Sequence, residues 1–177
     1  MRHVTGVQTC ALPISFALIA EIRQFFDKTL LLAGCLNHGH EILAAQLLGA
    51  DLAYLGTRFI GTTESHAPDA YKEMLLTSRA VDIVHTAAVS GVPASFMRQS
   101  LENAGFDLAA LQDKGEVNFG AKLKPLSDEA KAWKTVWSAG QGVGEIDDLP
   151  GVDELVARLD AEYREARETA AQLRWPR

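Results

Sequence analysis

The sequence has little cysteine, no cluster of basic residues and no long apolar run. Two cysteines in 177 residues, Cys10 and Cys35, cannot form a disulfide framework, and their spacing suits no zinc motif. We therefore expect a reducing, cytoplasmic environment. The formal net charge is -6 and the Lys and Arg residues are dispersed, which argues against nucleic acid as a partner. No apolar run reaches the roughly 18 residues of a membrane span, so no membrane partner is expected either.

The remaining composition is that of a globular protein. Apolar residues make up 47% of the chain, which argues against a disordered polypeptide. A length of 177 residues corresponds to one domain, or to one domain with a small appendage.

Residues 1–15 differ in character from the rest of the chain. A signal peptide would need a continuous apolar segment of about 7–15 residues, whereas Thr5, Gln8, Thr9 and Pro13 interrupt this segment. Residues 4–14 closely resemble the translation of a short-read sequencing adapter. We therefore expect residues 1–15 to be a non-native segment, in which Cys10 has no functional weight. The alternative is an irregular N-terminal arm.

From Ser15 onward, helical and extended patterns alternate. Ser15 can cap a helix, and apolar residues then recur at the helical period at Phe16, Ile19, Ile22 and Phe26. Residues 29–33 form a short apolar run that Gly34 ends, as is typical of a strand buried on both faces of a parallel sheet.

A second helix and a second strand follow. Asn37 is the predicted N-cap of a helix over residues 38–48, with Gly49 in the C-terminal capping position. The predicted stripe of this helix is Ile42, Ala45, Gln46 and Gly49. Residues 52–55 form the next buried strand, which Gly56 and Thr57 end. This order predicts a βαβ unit with parallel strands.

Both predicted strands end at glycine and run into the start of a helix. Backbone N–H groups at such turns can face a bound phosphate, and the positive end of a helix dipole adds to the attraction. The pattern indicates a phosphate site at Gly34 and Gly56. The alternative is that both glycines serve only as turn residues.

The remainder of the chain departs from regular alternation. The predicted elements are a helix that Ala67, Pro68 and Asp69 open and that runs to about residue 77, a strand over 81–86, a helix over 93–103, a loop over 113–125 and a helix from Ser127. Trp133 and Trp137 are interpreted as a packing pair in the last of these. The C-terminal helix over residues 152–172 is predicted to bury an apolar stripe formed by Val152, Leu155, Val156, Leu159 and Tyr163. Its polar face mixes charges of both signs, which favours a buried helix over one bound to a membrane.

Several motifs in order resemble the nitronate monooxygenase family, formerly called 2-nitropropane dioxygenases. They are residues 32–39, 49–59, 64–72, 90–96 and 137–144. The resemblance implies an α/β fold and FMN as cofactor, because the family members are FMN-dependent (β/α)₈ barrels. A complete barrel takes about 250 residues, so we expect only part of one. The implied parts are the last two βα units over residues 16–66, a mostly helical small capping domain over 67–149 and a C-terminal helix over 150–177.

The resemblance also implies the cofactor-binding residues. Ala33, Gly34 and Cys35 in the first loop, with Gly56 and Thr57 in the second, correspond to the positions that bind the FMN phosphate. Glycine lets the backbone approach a phosphate closely, and the hydroxyl of Thr57 can donate a further hydrogen bond. Cys35 departs from the family pattern of Gly or Ala, and its side chain narrows the room for phosphate. Its alternative role is that of a small buried packing residue. Residues 139–144 resemble the Gly-rich turn that faces the family's active site.

The family's catalytic base, a histidine in a Gly-Gly-His loop, has no counterpart here, since its position would precede Ser15. His38 and His40 are two residues apart, so we expect them on different faces of a helix rather than in a metal pair. His66 and His85 are expected to have structural roles.

For the parent protein the resemblance implies oxidation of alkyl nitronates with O₂ to a carbonyl compound and nitrite. The partners are then a small-molecule nitronate and O₂, and no turnover is expected from this chain alone. One alternative is another FMN barrel, such as an enoyl reductase. The other is a non-catalytic, incomplete fold whose two unpaired strand edges favour association.

Overall fold

The fold is described here from a computed structural model, which covers residues 15–87, 89, 93–108 and 136–173. Of the segment expected to be non-native, only Ser15 falls in these ranges, where it begins the first helix. The non-native origin of residues 1–15 therefore stays a prediction. The predicted loop over 113–125 and the helix start at Ser127 also lie outside the described residues, as does Trp133.

The N-terminal part is a βαβ unit preceded by a helix. Helix α1 spans Ser15–Arg23, strand β1 Leu31–Ala33, helix α2 Gly39–Leu48 and strand β2 Leu52–Tyr54. The two strands are parallel neighbours, with Leu31 opposite Leu52 and Ala33 opposite Tyr54. The prediction that two glycine-terminated strands lie side by side is therefore confirmed.

The expectation that both strands are buried on both faces is wrong. Leu32 is buried against Ile19, Ala45 and Ala50, but the other face of the sheet is exposed. We call that other face the open sheet face; its members are Leu31, Ala33, Leu52 and Tyr54. Helices α1 and α2 cover only one side of the two strands, and no element among the described residues covers the second side.

Helix α1 is shorter and less buried than its apolar spacing indicates. Ile19 is buried, whereas Phe16 and Phe26 are exposed. The helix ends at Arg23 because that side chain turns into the following loop. Its Nε donates to the Gly49 carbonyl at 2.8 Å and its Nη2 pairs with Asp51 Oδ2 at 2.7 Å. Asp51 also accepts the N–H of Leu30 at 2.7 Å, so this ion pair ties α1 to the starts of both strands.

Helix α2 begins one residue later than predicted and crosses the C-terminal helix at close range. Gly39, its first residue, lies so near the C-terminal helix that an added Cβ would be 2.1 Å from the Leu159 carbonyl oxygen and 2.4 Å from the Tyr163 nitrogen. The predicted stripe of α2 holds in part. Ala45 is buried, but Gln46 is exposed and its Oε1 accepts the Tyr163 hydroxyl at 2.7 Å.

The middle of the chain contains more β-structure than expected. The 3-10 helix Ala80–Asp82 precedes strand β3, Ile83–Thr86, and β3 pairs antiparallel with β4, Ala94–Met97. Helix α3 spans Thr57–Ile60 and α4 spans Asp69–Thr77. The latter ends at the predicted residue, but Pro68, predicted at an early position of this helix, is its N-cap instead.

The predicted helix over 93–103 is wrong for its first half. Residues Ala94–Met97 form β4, and only Arg98–Asn103 form a helix, α5. Phe96 and Met97 are fully buried, and a strand places these bulky side chains against the cores on its two faces. Phe96 packs with Val89, Leu101 and Val136, whereas Met97 belongs to the core around Leu75 and Val143.

The C-terminal helix, α6, spans Val152–Gln172 and has the predicted bounds. Leu155 and Leu159 are buried, but Val156 is 51% exposed, so its assignment to the buried stripe is wrong. Successive helical residues are about 100° apart, and Val156 falls outside the face that packs on α2. On its polar face, Glu154 pairs with Arg158 and Asp160 pairs with Arg164. In the described part of the chain, no helix is long and apolar enough to cross a membrane.

Candidate functional site

A hollow of about 220 Å³ lies at the carboxyl ends of β1 and β2. Because parallel strands end at the same edge of a sheet, the loops that follow β1 and β2 meet there. The residues that line the hollow come from these two loops and from a third segment: Ala33, Gly34, Cys35, Leu36, Asn37, Tyr54, Gly56, Thr57, Gly140, Gly142 and Val143. All five residues predicted to bind a cofactor therefore line this one hollow.

The hollow is lined by backbone donors that have no protein partner. The N–H groups of Cys35, Gly56 and Thr57 donate to no acceptor among the described residues, whereas the register of β1 and β2 directs the N–H of Gly34 at the Tyr54 carbonyl. Unpaired N–H groups that converge on a concave surface favour an anion. The hydroxyl of Thr57 accepts the N–H of Gly140 at 3.0 Å, which leaves its own hydrogen free to donate.

The start of helix α2 does not contribute donors in the way the sequence indicates. Asn37 is not its N-cap; the residue before the helix is His38, with an extended backbone. Glu41 folds back and accepts the N–H groups of Asn37 at 2.5 Å and His38 at 3.0 Å. Glu162 of α6 accepts the N–H of Gly39 at 2.6 Å. Carboxylates of the protein thus occupy this helix terminus, and the free backbone donor of the first loop is that of Cys35.

Cys35 has a left-handed backbone, with φ 54°, and follows Gly34 with φ 101°. Glycine adopts this region without strain, whereas a residue with a Cβ does so at some cost. A glycine would suit this turn better, so the conformation agrees with glycine in the family pattern and does not explain the cysteine. The thiol is free and exposed, so the alternative of a small buried packing residue is wrong.

The third wall of the hollow is the Gly-rich turn, which forms the 3-10 helix Gln141–Glu145. Asn37 is 3% exposed, and its Nδ2 donates to the Gly142 carbonyl and to Glu145 Oε2, both at 2.9 Å. An added Cβ on Gly142 would lie 3.0 Å from the Cα of Cys35, so this position requires glycine. The role of Asn37 was missed because its position before a helix also suits an N-cap.

The sequence predicts no strand before the Gly-rich turn at residues 139–144. The structure supplies that extended segment. Ser138 forms a bridge with Phe96, and the carbonyl of Trp137 accepts the N–H of Met97 at 2.9 Å. The Gly-rich turn thus follows a short extension of the β3–β4 sheet.

None of the described histidines lines the hollow. The rings of His38 and His40 stack, with centroids 5.2 Å apart, so the expectation that they point to different faces is wrong. His38 precedes the helix in an extended conformation, which turns its ring towards that of His40. His38 Nδ1 lies 3.5 Å from Glu162 Oε1, and His85 Nδ1 lies 3.2 Å from Ser95 Oγ. Within the described ranges, no group of three potential ligands is placed to hold a metal.

An ion network lies directly behind the second loop. Arg58 is 3% exposed, and its Nη2 pairs with Asp148 Oδ1 at 2.5 Å. The other carboxylate oxygen of Asp148 pairs with Arg158 of α6 at 2.7 Å. Burial alone would raise the pKa of the Asp148 carboxyl, but hydrogen bonds from Arg158 and Arg58 outweigh burial and lower this pKa.

An aromatic pair, Tyr71 and Trp137, lies next to the start of the Gly-rich turn. Tyr71 and Trp137 stack with centroids 5.2 Å apart and planes 5° apart, and the Tyr71 hydroxyl donates to the Ser138 carbonyl. Burial raises the pKa of the Tyr71 hydroxyl, and the hydrogen bond to Ser138 partly offsets this. Both rings pack against the core that contains Leu75 and Val143. Trp137 therefore has a packing role, with Tyr71 as its partner.

These features define a class: an α/β protein whose parallel strands end at an anion-sized hollow lined by glycine. A sequence model of one family, nitronate monooxygenase, matches residues 5–162. The chain belongs to the nitronate monooxygenase family, whose members are oxidoreductases.

Individual relatives agree with this assignment. The chain is 32% identical over 167 residues to a nitronate monooxygenase of Paraburkholderia phytofirmans, covering 89% of this chain and 44% of the relative. It is 35% identical over 128 residues to a probable nitronate monooxygenase of Staphylococcus haemolyticus, covering 70% of this chain and 36% of the relative.

Solved structures show the same likeness. A nitroalkane oxidase from Streptomyces ansochromogenes is 32% identical with a TM-score of 0.66, over 88% of this chain and 45% of that one. A FabK variant from Thermotoga maritima has the same fold, with a TM-score of 0.66 at 24% identity, over 89% of this chain and 48% of that one. The chain thus spans about half the length, or less, of the relatives that it matches.

Proposed function

We propose that this chain supplies the phosphate-binding loops of an FMN site, and that the whole protein oxidises alkyl nitronates with O₂ to a carbonyl compound and nitrite. The observation that supports the proposal is the set of three unpaired N–H groups, at Cys35, Gly56 and Thr57, around one hollow. Membership of the nitronate monooxygenase family supplies the reaction class.

The residues present fit a phosphate group. An added Cβ on Gly34 or on Gly56 would meet no atom within 4 Å, so the backbone at both positions faces open space. A phosphate dianion has acceptor oxygens only, and the hollow offers donors: three N–H groups and the hydroxyl of Thr57. Bound FMN would supply the electron transfer to O₂, and this chain would orient it through its phosphate.

Among the described residues, no side chain that lines the hollow could act as the base for the substrate. No histidine or carboxylate lines the hollow in the part of the chain that the structure describes. Removal of a proton next to a nitro group requires a base within hydrogen-bond reach of the carbon that bears it. We therefore expect this chain to bind FMN through the phosphate without turning over a nitronate.

The test is FMN binding, followed by quenching of flavin fluorescence, in the wild type and in Gly56→Ala. Gly56 has φ -103° and open space at its Cβ position, so alanine strains neither the backbone nor the packing of the free protein. The methyl group would instead occupy the space of a phosphate oxygen. We expect the FMN affinity to fall about tenfold, equivalent to about 1.4 kcal/mol.

The matched control is Gly61→Ala, at the other end of α3. Its added Cβ would make ordinary contacts of 3.4–3.5 Å, and Gly61 does not line the hollow. This variant should bind FMN like the wild type, and inorganic phosphate should compete with FMN in both. Equal FMN affinity of the wild type and Gly56→Ala would contradict the proposal.

A further inference from the structure

The Gly-rich turn and the residues that follow it hold both loops of the hollow. Its N–H at Gly140 binds Thr57, and its Gly142 carbonyl and Glu145 carboxylate bind Asn37. Asp148 then binds Arg58. Residues 140–148 thus contact the first loop at Asn37 and the start of α3 at Thr57 and Arg58.

The second loop depends on these contacts for its position. Helix α3, Thr57–Ile60, has four residues, which is too short to be stable by itself. Gly56 has no neighbouring atoms around its Cβ position. Arg58 is the first residue after the loop whose side chain is buried, at 4% exposure, and it lies next to Thr57 in the chain.

The contact between Arg58 and Asp148 is made at two points. Nη2 donates to Oδ1 at 2.5 Å and Nη1 donates to the backbone carbonyl of Asp148 at 3.1 Å. A guanidinium bound at two atoms is fixed in orientation as well as in position. Arg158 of α6 binds the second carboxylate oxygen of Asp148 at 2.7 Å, so the C-terminal helix also fixes the orientation of this carboxylate.

We propose that Arg58, held by Asp148 and Arg158, is a positioning residue that keeps the N–H groups of Gly56 and Thr57 directed at the phosphate of the ligand. Arg58 does not itself line the hollow. The inference rests on the proposed phosphate site and adds the element that orders it.

The primary test is Arg58→Lys, because lysine keeps the positive charge but not the two-point contact. We expect the FMN affinity, measured by fluorescence quenching, to fall about tenfold, within the usual range of coupling between sites. Asp148→Asn should lower it as well, although removing a negative charge near an anion site would by itself raise the affinity. Asp148→Glu should retain more of the wild-type affinity than Asp148→Asn does.

Two controls separate positioning from general destabilisation. Leu159→Ala lowers the stability of α6 without touching the network, and its FMN affinity should remain that of the wild type when measured well below its melting temperature. Glu154→Gln removes the other partner of Arg158 and should also bind FMN normally. Riboflavin, which lacks the phosphate, should bind the wild type and Arg58→Lys equally.

The outcomes distinguish the two proposals. If the wild type does not prefer FMN to riboflavin, the phosphate site itself is wrong. If the wild type prefers FMN and both Arg58→Lys and Asp148→Asn keep that preference in full, Arg58 does not position the loop. A drop in FMN affinity of the same size in Leu159→Ala would also overturn the inference.

Discussion

At the scale of single residues, glycine has two different roles in this chain. Gly34 and Gly56 face open space at the hollow, whereas Gly39 and Gly142 allow close approach of two segments. The sequence alone does not distinguish these roles, because a glycine after a strand and a glycine at a helix crossing are the same residue type. The turn glycines could be predicted from the apolar runs before them, but the crossing at Gly39 depends on a helix more than 100 residues later.

The close approach at Gly39 leads to a stability prediction. In Gly39→Ala the methyl group would collide with backbone atoms of α6, which cannot move aside independently. We expect a loss of about 3 kcal/mol in the free energy of unfolding, at the upper end of overpacking effects. Urea unfolding measures it, and Gly56→Ala is the control that should unfold like the wild type. A Gly39→Ala protein of wild-type stability would show that the two helices are further apart.

The residues of the site that reasoning from sequence missed are those with long-range partners. Asn37 bonds to Gly142 and Glu145, and Arg58 bonds to Asp148. Local patterns assign Asn37 to a helix cap, because a side chain that precedes a helix in sequence usually serves that helix. Here Glu41 caps α2 instead, and Asn37 is free to bind the third wall of the hollow.

At the scale of elements, helix α6 shows how far an apolar stripe predicts burial. Leu155 is 1% exposed, while its neighbour Val156 is 51% exposed. The bounds of the helix and its buried leucines could be predicted from periodicity. Which side of the stripe faces α2 could not, because that depends on the crossing at Gly39.

The two neighbours provide a matched pair of substitutions. Leu155→Ala removes a fully buried side chain and should cost about 2–5 kcal/mol in the free energy of unfolding. Val156→Ala removes a half-exposed side chain and should change this free energy by less than about 0.5 kcal/mol. Thermal or urea unfolding of both proteins checks the ratio. Equal losses would contradict the observed face of α6.

The ion network between α3 and α6 predicts a dependence of stability on pH. The pKa of the Asp148 carboxyl lies below its ordinary value of 3.8 in the folded protein. A lowered pKa stabilises the folded state at pH values above the ordinary pKa, and this contribution is lost as the pH falls through the lowered value.

We therefore expect the stability of the wild type to decrease as the pH is lowered from about 5 to 3. The decrease should be shallower in Asp148→Asn, which has no carboxyl to protonate. It should not vanish, because backbone hydrogen bonds from Leu30 and Val152 also lower the pKa of Asp51 and of Glu64. Urea midpoints across this pH range measure both slopes, and parallel slopes would argue against the network.

At the scale of the whole molecule, the open sheet face is the least expected feature. Parallel sheets are normally covered on both faces, and here Leu31, Leu52 and Tyr54 are about half exposed or more. The apolar composition of both strands correctly indicates residues that avoid water. It could not show that the described part of the chain covers only one side of them.

The open sheet face predicts self-association of the isolated chain. Exposed apolar surface next to unpaired strand edges promotes contacts between copies. Sedimentation velocity at increasing concentration should show oligomers for the wild type and fewer for Leu52→Lys, which places a charge on that face. Leu47→Lys, at an exposed position on α2, should associate like the wild type. An unchanged distribution in Leu52→Lys would place the contact elsewhere.

The most direct test of the account is a titration of the isotope-labelled chain with inorganic phosphate, followed by the backbone amide resonances. We expect the amides of Cys35, Gly56 and Thr57 to shift together with a single binding constant. The amide of Gly39, which Glu162 already occupies, should remain in place. Shifts centred on Gly39 and the start of α2, or no shifts at the two loops, would contradict the assignment of the hollow as a phosphate site.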